Sequence, residues 1–200
     1  MRNRAVVGCS VVAGGAFLLV LAGTVFITVL RHGMSLRTVQ KDEKLLLVSV
    51  DDLAPHTPIP GKRSLCESYV VGHDADGAPQ IEYEYDTNKD PDAEEFLLLK
   101  SEADISPTIR LAKESFEAYV TGYKMGTHSV SGLEVKECPT LFSAGEDNFA
   151  AMVTRDGDII GNMVVTRKGK IVYGLLLYGV YFDEREPLES VFENAMGRRP

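Results

Sequence analysis

Residues 149–181 read FAAMVTRDGDIIGNMVVTRKGKIVYGLLLYGVY, and this stretch decides the fold. Two turn signals divide it, Asp156-Gly157-Asp158 and Lys168-Gly169-Lys170, each offering the glycine that a tight hairpin needs. The runs between them, Phe149–Arg155, Ile159–Arg167 and Ile171–Tyr181, are rich in β-branched and aromatic residues and long enough to be strands. Strands joined by such short turns must pair antiparallel, because a parallel neighbour needs a crossover of about a dozen residues or more. Along the third run Tyr173 and Tyr181 share one face and Tyr178 takes the other, with core burial the expected fate of these rings. Gly157, Gly169 and Gly174 are read as turns and strand irregularity.

Toward the C-terminus, Asp183 or Glu184 begins a helix with Leu188, Val191, Phe192 and Ala195 on its apolar face. Toward the N-terminus, Ser106-Pro107 predicts a helix start, an N-cap followed by proline at the first helical position. Ile109, Ala112, Phe116, Val120 and Tyr123 follow at helical spacing, and Gly122 or Gly126 is the expected end. Three earlier runs read as strands. They are Cys66–Gly72, closed by the turn signal Asp74-Ala75-Asp76-Gly77; Gln80–Tyr85, which alternates with period two; and Glu95–Ala103, which is more apolar. Leu45–Val50 is a further strand expectation, and Pro55, Pro58 and Pro60 exclude regular structure over Asp51–Gly61. The order is strands, helix, strands, helix. It predicts an α+β domain over residues 63–196, an antiparallel sheet with helices on both faces as a three-layer sandwich, reached through a juxtamembrane stalk and extended linker over residues 31–62.

The reason for calling that segment juxtamembrane lies upstream. Ala5–Leu30 is a run of 26 residues in which Cys9 is the one ionisable side chain. Roughly 20 apolar residues cross a bilayer core, so the run is long enough to span with some tilt. A cleaved signal peptide has an apolar region of about 7–15 residues and a small-x-small site, and a core helix apolar on all sides needs a much larger protein around it. The run is read as an uncleaved transmembrane helix, a signal anchor behind the short tail of residues 1–4. Cys9 follows Val6-Val7-Gly8 in a superficial lipoprotein box, but the apolar run comes after it rather than before. Arg2 and Arg4 ahead of a long apolar run favour a cytoplasmic N-terminus and an extracytoplasmic domain, whereas Arg31, Arg37, Lys41 and Lys44 on the other flank pull the opposite way.

Charge separates the two parts of the chain. Of 21 Lys and Arg, only Arg2 and Arg4 precede Arg31, and all 29 Asp and Glu lie from Asp42 onward, so residues 31–200 carry a net charge of −10. Such a surface repels phosphate backbones, and no basic cluster with interleaved aromatics offsets it; nucleic acid is excluded as the expected partner.

The residues from Ile159 to Met196 bring a family to mind. A hairpin, a long strand containing Val172-Tyr173-Gly174-Leu175, then Phe182-Asp183-Glu184 and a closing helix through Phe192 resemble the C-terminal half of the Mog1/PsbP-like fold. The helix over Ser106–Tyr123 also falls where that family has one, and the likeness in order of elements covers about residues 63–196. The sequence lacks the family's opening aromatic-Pro-x-x-Trp segment and contains no tryptophan. The resemblance implies a non-enzymatic domain that binds or stabilises a protein assembly, and it brings no catalytic residues.

Asp86, Asn88, Asp90 and Asp92 place oxygen ligands at alternate positions, as in the first half of a calcium loop. The sixth position, where a sharp turn needs glycine, is Pro91, and the twelfth, where a bidentate Glu belongs, is Leu97. A solvated loop between strands is the competing reading. Cys66 and Cys138 either form a disulfide closing a loop of about 70 residues or remain two free thiols. His32, His56, His73 and His128 are isolated, and His128 beside Ser129-Val130-Ser131-Gly132 reads as a surface histidine. No zinc pattern, nucleophile elbow or phosphate-binding glycine loop occurs. No catalytic residue or cofactor is therefore assigned. The expected function is a membrane-anchored extracytoplasmic interaction or assembly module, an accessory subunit of a membrane complex rather than an enzyme. The alternative is a small extracytoplasmic ligand-binding domain or hydrolase whose site is dispersed in sequence.

Overall fold

The computed structural model describes residues 38–73 and 79–197 of the chain. Three one-turn helices, α1 (Lys41–Lys44), α2 (Val50–Leu53) and α3 (Arg63–Cys66), lead into β1 (Glu67–His73) and β2 (Pro79–Asp86). A 3-10 turn at Thr87–Lys89 precedes β3 (Leu98–Ile105), and the long helix α4 (Ile109–His128) follows. The chain then runs through β4 (Leu133–Glu137), β5 (Asp147–Arg155), β6 (Asp158–Lys168) and β7 (Ile171–Tyr178), and ends its described part in α5 (Arg185–Gly197). The fold is α+β. All seven strands form one sheet in the order β1-β2-β3-β7-β6-β5-β4, every neighbouring pair antiparallel. Two meanders, β1–β3 and β4–β7, thus meet where β3 lies beside β7, and α4 connects them.

Strand periodicity sorts the core into two layers. Ile81, Tyr83 and Tyr85 of β2, Leu99 and Ala103 of β3, and Tyr173, Leu175 and Leu177 of β7 cluster with Leu188, Val191, Phe192 and Ala195 of α5. Met163, Val165, Val172, Leu176 and Tyr178 face the other way, toward Ala112, Phe116, Tyr119, Val120 and Tyr123 of α4. The two helices therefore cover opposite faces. Asn162, fully buried in β6, fixes the hand-over from sheet to α5: its amide donates to Phe182 O (2.9 Å) and accepts from Phe182 N (2.6 Å).

Several boundaries differ from the sequence expectations for local physical reasons. Leu46, Leu47, Val48, Val50 and Leu53, expected in the linker of residues 31–62, are buried in the α5-side core, so the folded unit begins well before residue 63. Leu45–Val50 is not a strand. Successive tight turns (Leu45 N to Asp42 O, Leu46 N to Glu43 O, Leu47 N to Lys44 O) take up its donors, and Val48 N bonds the Ser101 hydroxyl. Helix α4 is capped by Thr108, whose hydroxyl accepts from Leu111 N, rather than by Ser106, whose own N–H extends the β3–β7 ladder to Lys170 O. It runs through both Gly122 and Gly126, because two aromatic turns of contact with the sheet outweigh about 1 kcal/mol of propensity per glycine. Ile109, placed by spacing on the buried stripe, is 52% exposed at the first turn. Strand β7 stops at Tyr178, since Gly179 (φ +88°) turns the chain, and Tyr181 is left exposed rather than sharing a buried face with Tyr173. The short edge strand β4 was not anticipated. The turn at residues 74–77 and the anchor expected over residues 5–30, Cys9 included, lie outside the described residues. Among the described residues no helix is long and apolar enough to cross a membrane.

Candidate functional site

The loop after β2 uses its carboxylates on its own backbone. Asp86 accepts from Asn88 N (2.9 Å), and Asp90 accepts from Lys62 N (2.7 Å) and Asp92 N (3.1 Å). The carboxylate of Asp92 pairs with the Lys62 ammonium. The Lys62 N–H bond holds the Asp90 carboxyl below its usual range, whereas burial pushes Asp86 up. Asp86, Asn88, Asp90 and Asp92 therefore cap a turn and tie it to residue 62 instead of converging on a common centre. No group of three or more His, Cys, Asp or Glu among the described residues is arranged to hold an ion.

Cys66 and Cys138 are both free thiols, which overturns the disulfide alternative. Cys66 immediately precedes β1 at one edge of the sheet, while Cys138 follows β4 at the other. Six strand spacings of about 4.8 Å separate those edges, far beyond the roughly 7 Å that a disulfide tolerates between Cα atoms. Burial pushes the Cys66 thiol up, and Cys138 donates weakly to Lys136 O (3.4 Å).

The two histidines whose side chains are described, His56 and His128, lie on separate elements. His128 is exposed at the last residue of α4. The folded chain brings His56 to Ser190 on α5, with Nε2 2.9 Å from Oγ, a proximity that sequence spacing of 134 residues conceals. Pro187 O, 2.7 Å from the same Oγ, competes with the imidazole for the single hydroxyl proton. Neither residue lines the cleft beside Arg63 and Tyr85. The pair pins the segment after α2 to α5, alongside Asn194 on Asp52 (2.7 Å).

The chemistry that sequence reading missed lies between β2, β3 and α4. The even-numbered residues of β3 turn Lys100, Glu102 and Asp104 toward the α4 face, all nearly buried. Lys100 Nζ sits 2.8 Å from Glu102 and 3.1 Å from Glu82 of β2. From the helix, Tyr123 donates to Glu102 (3.1 Å), and the Gln80 amide donates to the Tyr119 hydroxyl (2.6 Å). Gly174, paired directly with Glu102, makes room for this: an added Cβ would lie 2.5 Å from the Tyr123 hydroxyl oxygen. Gly174 sits in a regular strand, not an irregular one. Burial acts to lower the pKa of Lys100, but Glu102 and Glu82 outweigh it and keep the ammonium charged. Burial, with Glu102 as a second negative neighbour, holds the proton of Glu82 up to about 7 despite Lys100. Burial and the Glu102 charge likewise raise the phenols of Tyr119 and Tyr123. The missed signal is the polar run Lys100, Glu102, Asp104 in a stretch that reads as more apolar.

This array makes stability depend on pH with a definite sign. The folded pKa of Glu82 lies above its unfolded value of about 4.3, so its contribution is complete below that value and is lost as pH rises through about 7. Between pH 5 and 8 the domain should lose up to about 3 kcal/mol from this group alone. Glu82→Gln should flatten that slope in urea melts taken across the range. An unchanged slope would show that Glu82 does not carry it.

A cleft of about 240 Å³ opens beside Val50, Asp51, Ala54, Ile59, Gly61, Arg63 and Tyr85. Its guanidinium is already engaged, with Arg63 bidentate on Asp51 (2.8 and 2.9 Å) and bonded to Glu67 (3.1 Å). Neither His128 nor Glu82 lines it, and it falls below the range of about 300–1,000 Å³ usual for ligand pockets. The ligand-binding or hydrolase alternative gains no support from it.

The two edges of the sheet differ. β4, at one edge, has five residues, three of them charged (Glu134, Lys136, Glu137). β1, at the other, has seven residues with a single Asp, Glu, Lys or Arg, Glu67 at its start. Among the described residues β1 pairs only with β2, and Val70 at its centre is 36% exposed. Short length and charge are the usual protections of a sheet edge, and β1 has neither. Comparison with protein-family models, with curated proteins and with solved structures finds no match.

Proposed function

We propose that this chain is a single-pass membrane protein whose acidic α+β domain acts on the extracytoplasmic side as an interaction or assembly module, an accessory part of a membrane complex. The observation that carries the reading is the unprotected β1 edge, set against a β4 edge that is short and charged. Open backbone donors and acceptors along a strand whose one Asp, Glu, Lys or Arg is Glu67 at its start are a template for a partner's strand. The apolar run Ala5–Leu30 supports the tether. The polar groups of the His56–Ser190 pair, of the acidic loop and of the cleft are engaged within the fold. The Mog1/PsbP-like resemblance points the same way, toward assembly rather than turnover.

The test is amine-reactive cross-linking of intact membranes carrying the full-length chain. The reading requires species well above the 21.9 kDa of one chain. A single band at that mass, across cross-linker concentrations that join a known membrane complex in the same sample, would overturn it.

A further inference from the structure

Resting on the module reading above, we infer that the partner of the β1 edge is β1 of a second copy of this chain, paired antiparallel about a two-fold axis at Val70. A two-fold interface is self-complementary, so residue i meets j and j meets i. Val70 is the midpoint of Glu67–His73, and centring the pair there is the one register that engages all seven residues of each strand. Val70 then faces Val70, Tyr69 faces Val71 and Ser68 faces Gly72. β-branched and aromatic-to-β-branched pairs are the favourable cross-strand combinations, and no like charges stand opposite one another at the centre. The register also covers Val70, which is exposed in the single chain.

Area and charge set the conditions under which the pair forms. One strand edge buries less than the roughly 1,200 Å² of a standard stable interface, and two domains of net charge −10 repel. In dilute solution the contact is therefore too small to hold. Two copies confined to one bilayer by Ala5–Leu30 meet at a much higher effective concentration, with their edges at the same height, which favours the copy over a soluble peptide as occupant.

The experiment places Val70→Cys in the full-length chain in a Cys9→Ser, Cys138→Ser background, leaving buried Cys66 in place. Membranes are treated with a mild oxidant and read on a non-reducing gel. The proposal requires a dimer band, removed by reductant, at least fivefold stronger than for Ser68→Cys. Position 68 meets its own copy only across a four-residue offset of about 13 Å, too far for a disulfide. Val70→Glu, which sets two carboxylates face to face, should reduce the amine cross-linked dimer at least fivefold while leaving the melting temperature within about 2 °C, as expected for an exposed site. Equal bands from positions 68 and 70 overturn the register. No Val70→Cys dimer alongside larger amine cross-linked species overturns the second copy as partner but leaves the module reading standing. Absence of cross-linked species in both assays sinks the two together.

Discussion

Lys100→Met is expected to lower the stability of the domain by about 3–5 kcal/mol at pH 7.5, because it leaves buried carboxylates without their cation. The ammonium lies between Glu82 and Glu102, and Asp104 on the same face of β3 adds a third buried carboxylate. Methionine preserves most of the volume, so the loss is electrostatic rather than a cavity. Two further results follow from that cause. The deficit should shrink toward pH 5, where Glu82 takes up its proton, since a raised folded pKa contributes stability at low pH and loses it as pH rises. Adding Glu82→Gln and Glu102→Gln to Lys100→Met should recover most of the loss, because amides can be buried at lower cost when hydrogen-bonded. Urea denaturation at pH 5 and 7.5 reads all three. An equal deficit at both pH values would assign the effect to lost side-chain contacts instead.

The second large effect is steric. Gly161 on β6 is flanked by Val153 on β5 and Tyr178 on β7, next to a bulge in which Ile160 is the extra residue. A Cβ there would fall deep inside the van der Waals radius of the Leu177 carbonyl oxygen, a backbone atom held in the ladder. Gly161→Ala must separate two central strands, at a cost of about 3 kcal/mol or more. For a domain of this size that is roughly a 10 °C fall in melting temperature. Gly126→Ala is the internal contrast. Nothing lies within 4 Å of its Cβ position, and it is helical in the last turn of α4, so alanine should stabilise by about 0.5 kcal/mol. Calorimetry of the two variants checks both signs. A Gly161→Ala domain melting with the parent would mean that β6 and β7 do not approach so closely.

The same two glycines show what a sequence makes legible. Strand signals with period two and Gly-containing turns are local, so the hairpins of β5, β6 and β7, the alternation in β2 and the helices α4 and α5 could all be read directly. Helix ends could not: Gly126 looks like a stop, but whether it stops a helix depends on Tyr119 and Tyr123 finding a sheet to lie on. Leu45–Val50 likewise reads as a strand by composition and is drawn into turns by tertiary partners such as Ser101. The charged array was invisible for a similar reason. Glu82, Lys100 and Tyr123 are separated by many residues and meet only through the β2–β3 register and the gap that Gly174 leaves. The cysteines show the converse, since their pairing was undecidable from spacing and is excluded once the sheet order puts them at opposite edges. Edge protection sits between these cases: the charges of β4 and the neutrality of β1 are written in the sequence, but that they are edges is not.

The tether is the premise on which the proposed function rests, and alkaline carbonate extraction of membranes carrying the full-length chain, followed by intact-mass measurement, tests it most directly. The account predicts that the chain stays in the membrane pellet at a mass that includes residues 1–30. Recovery in the aqueous fraction at a mass lacking those residues would contradict it.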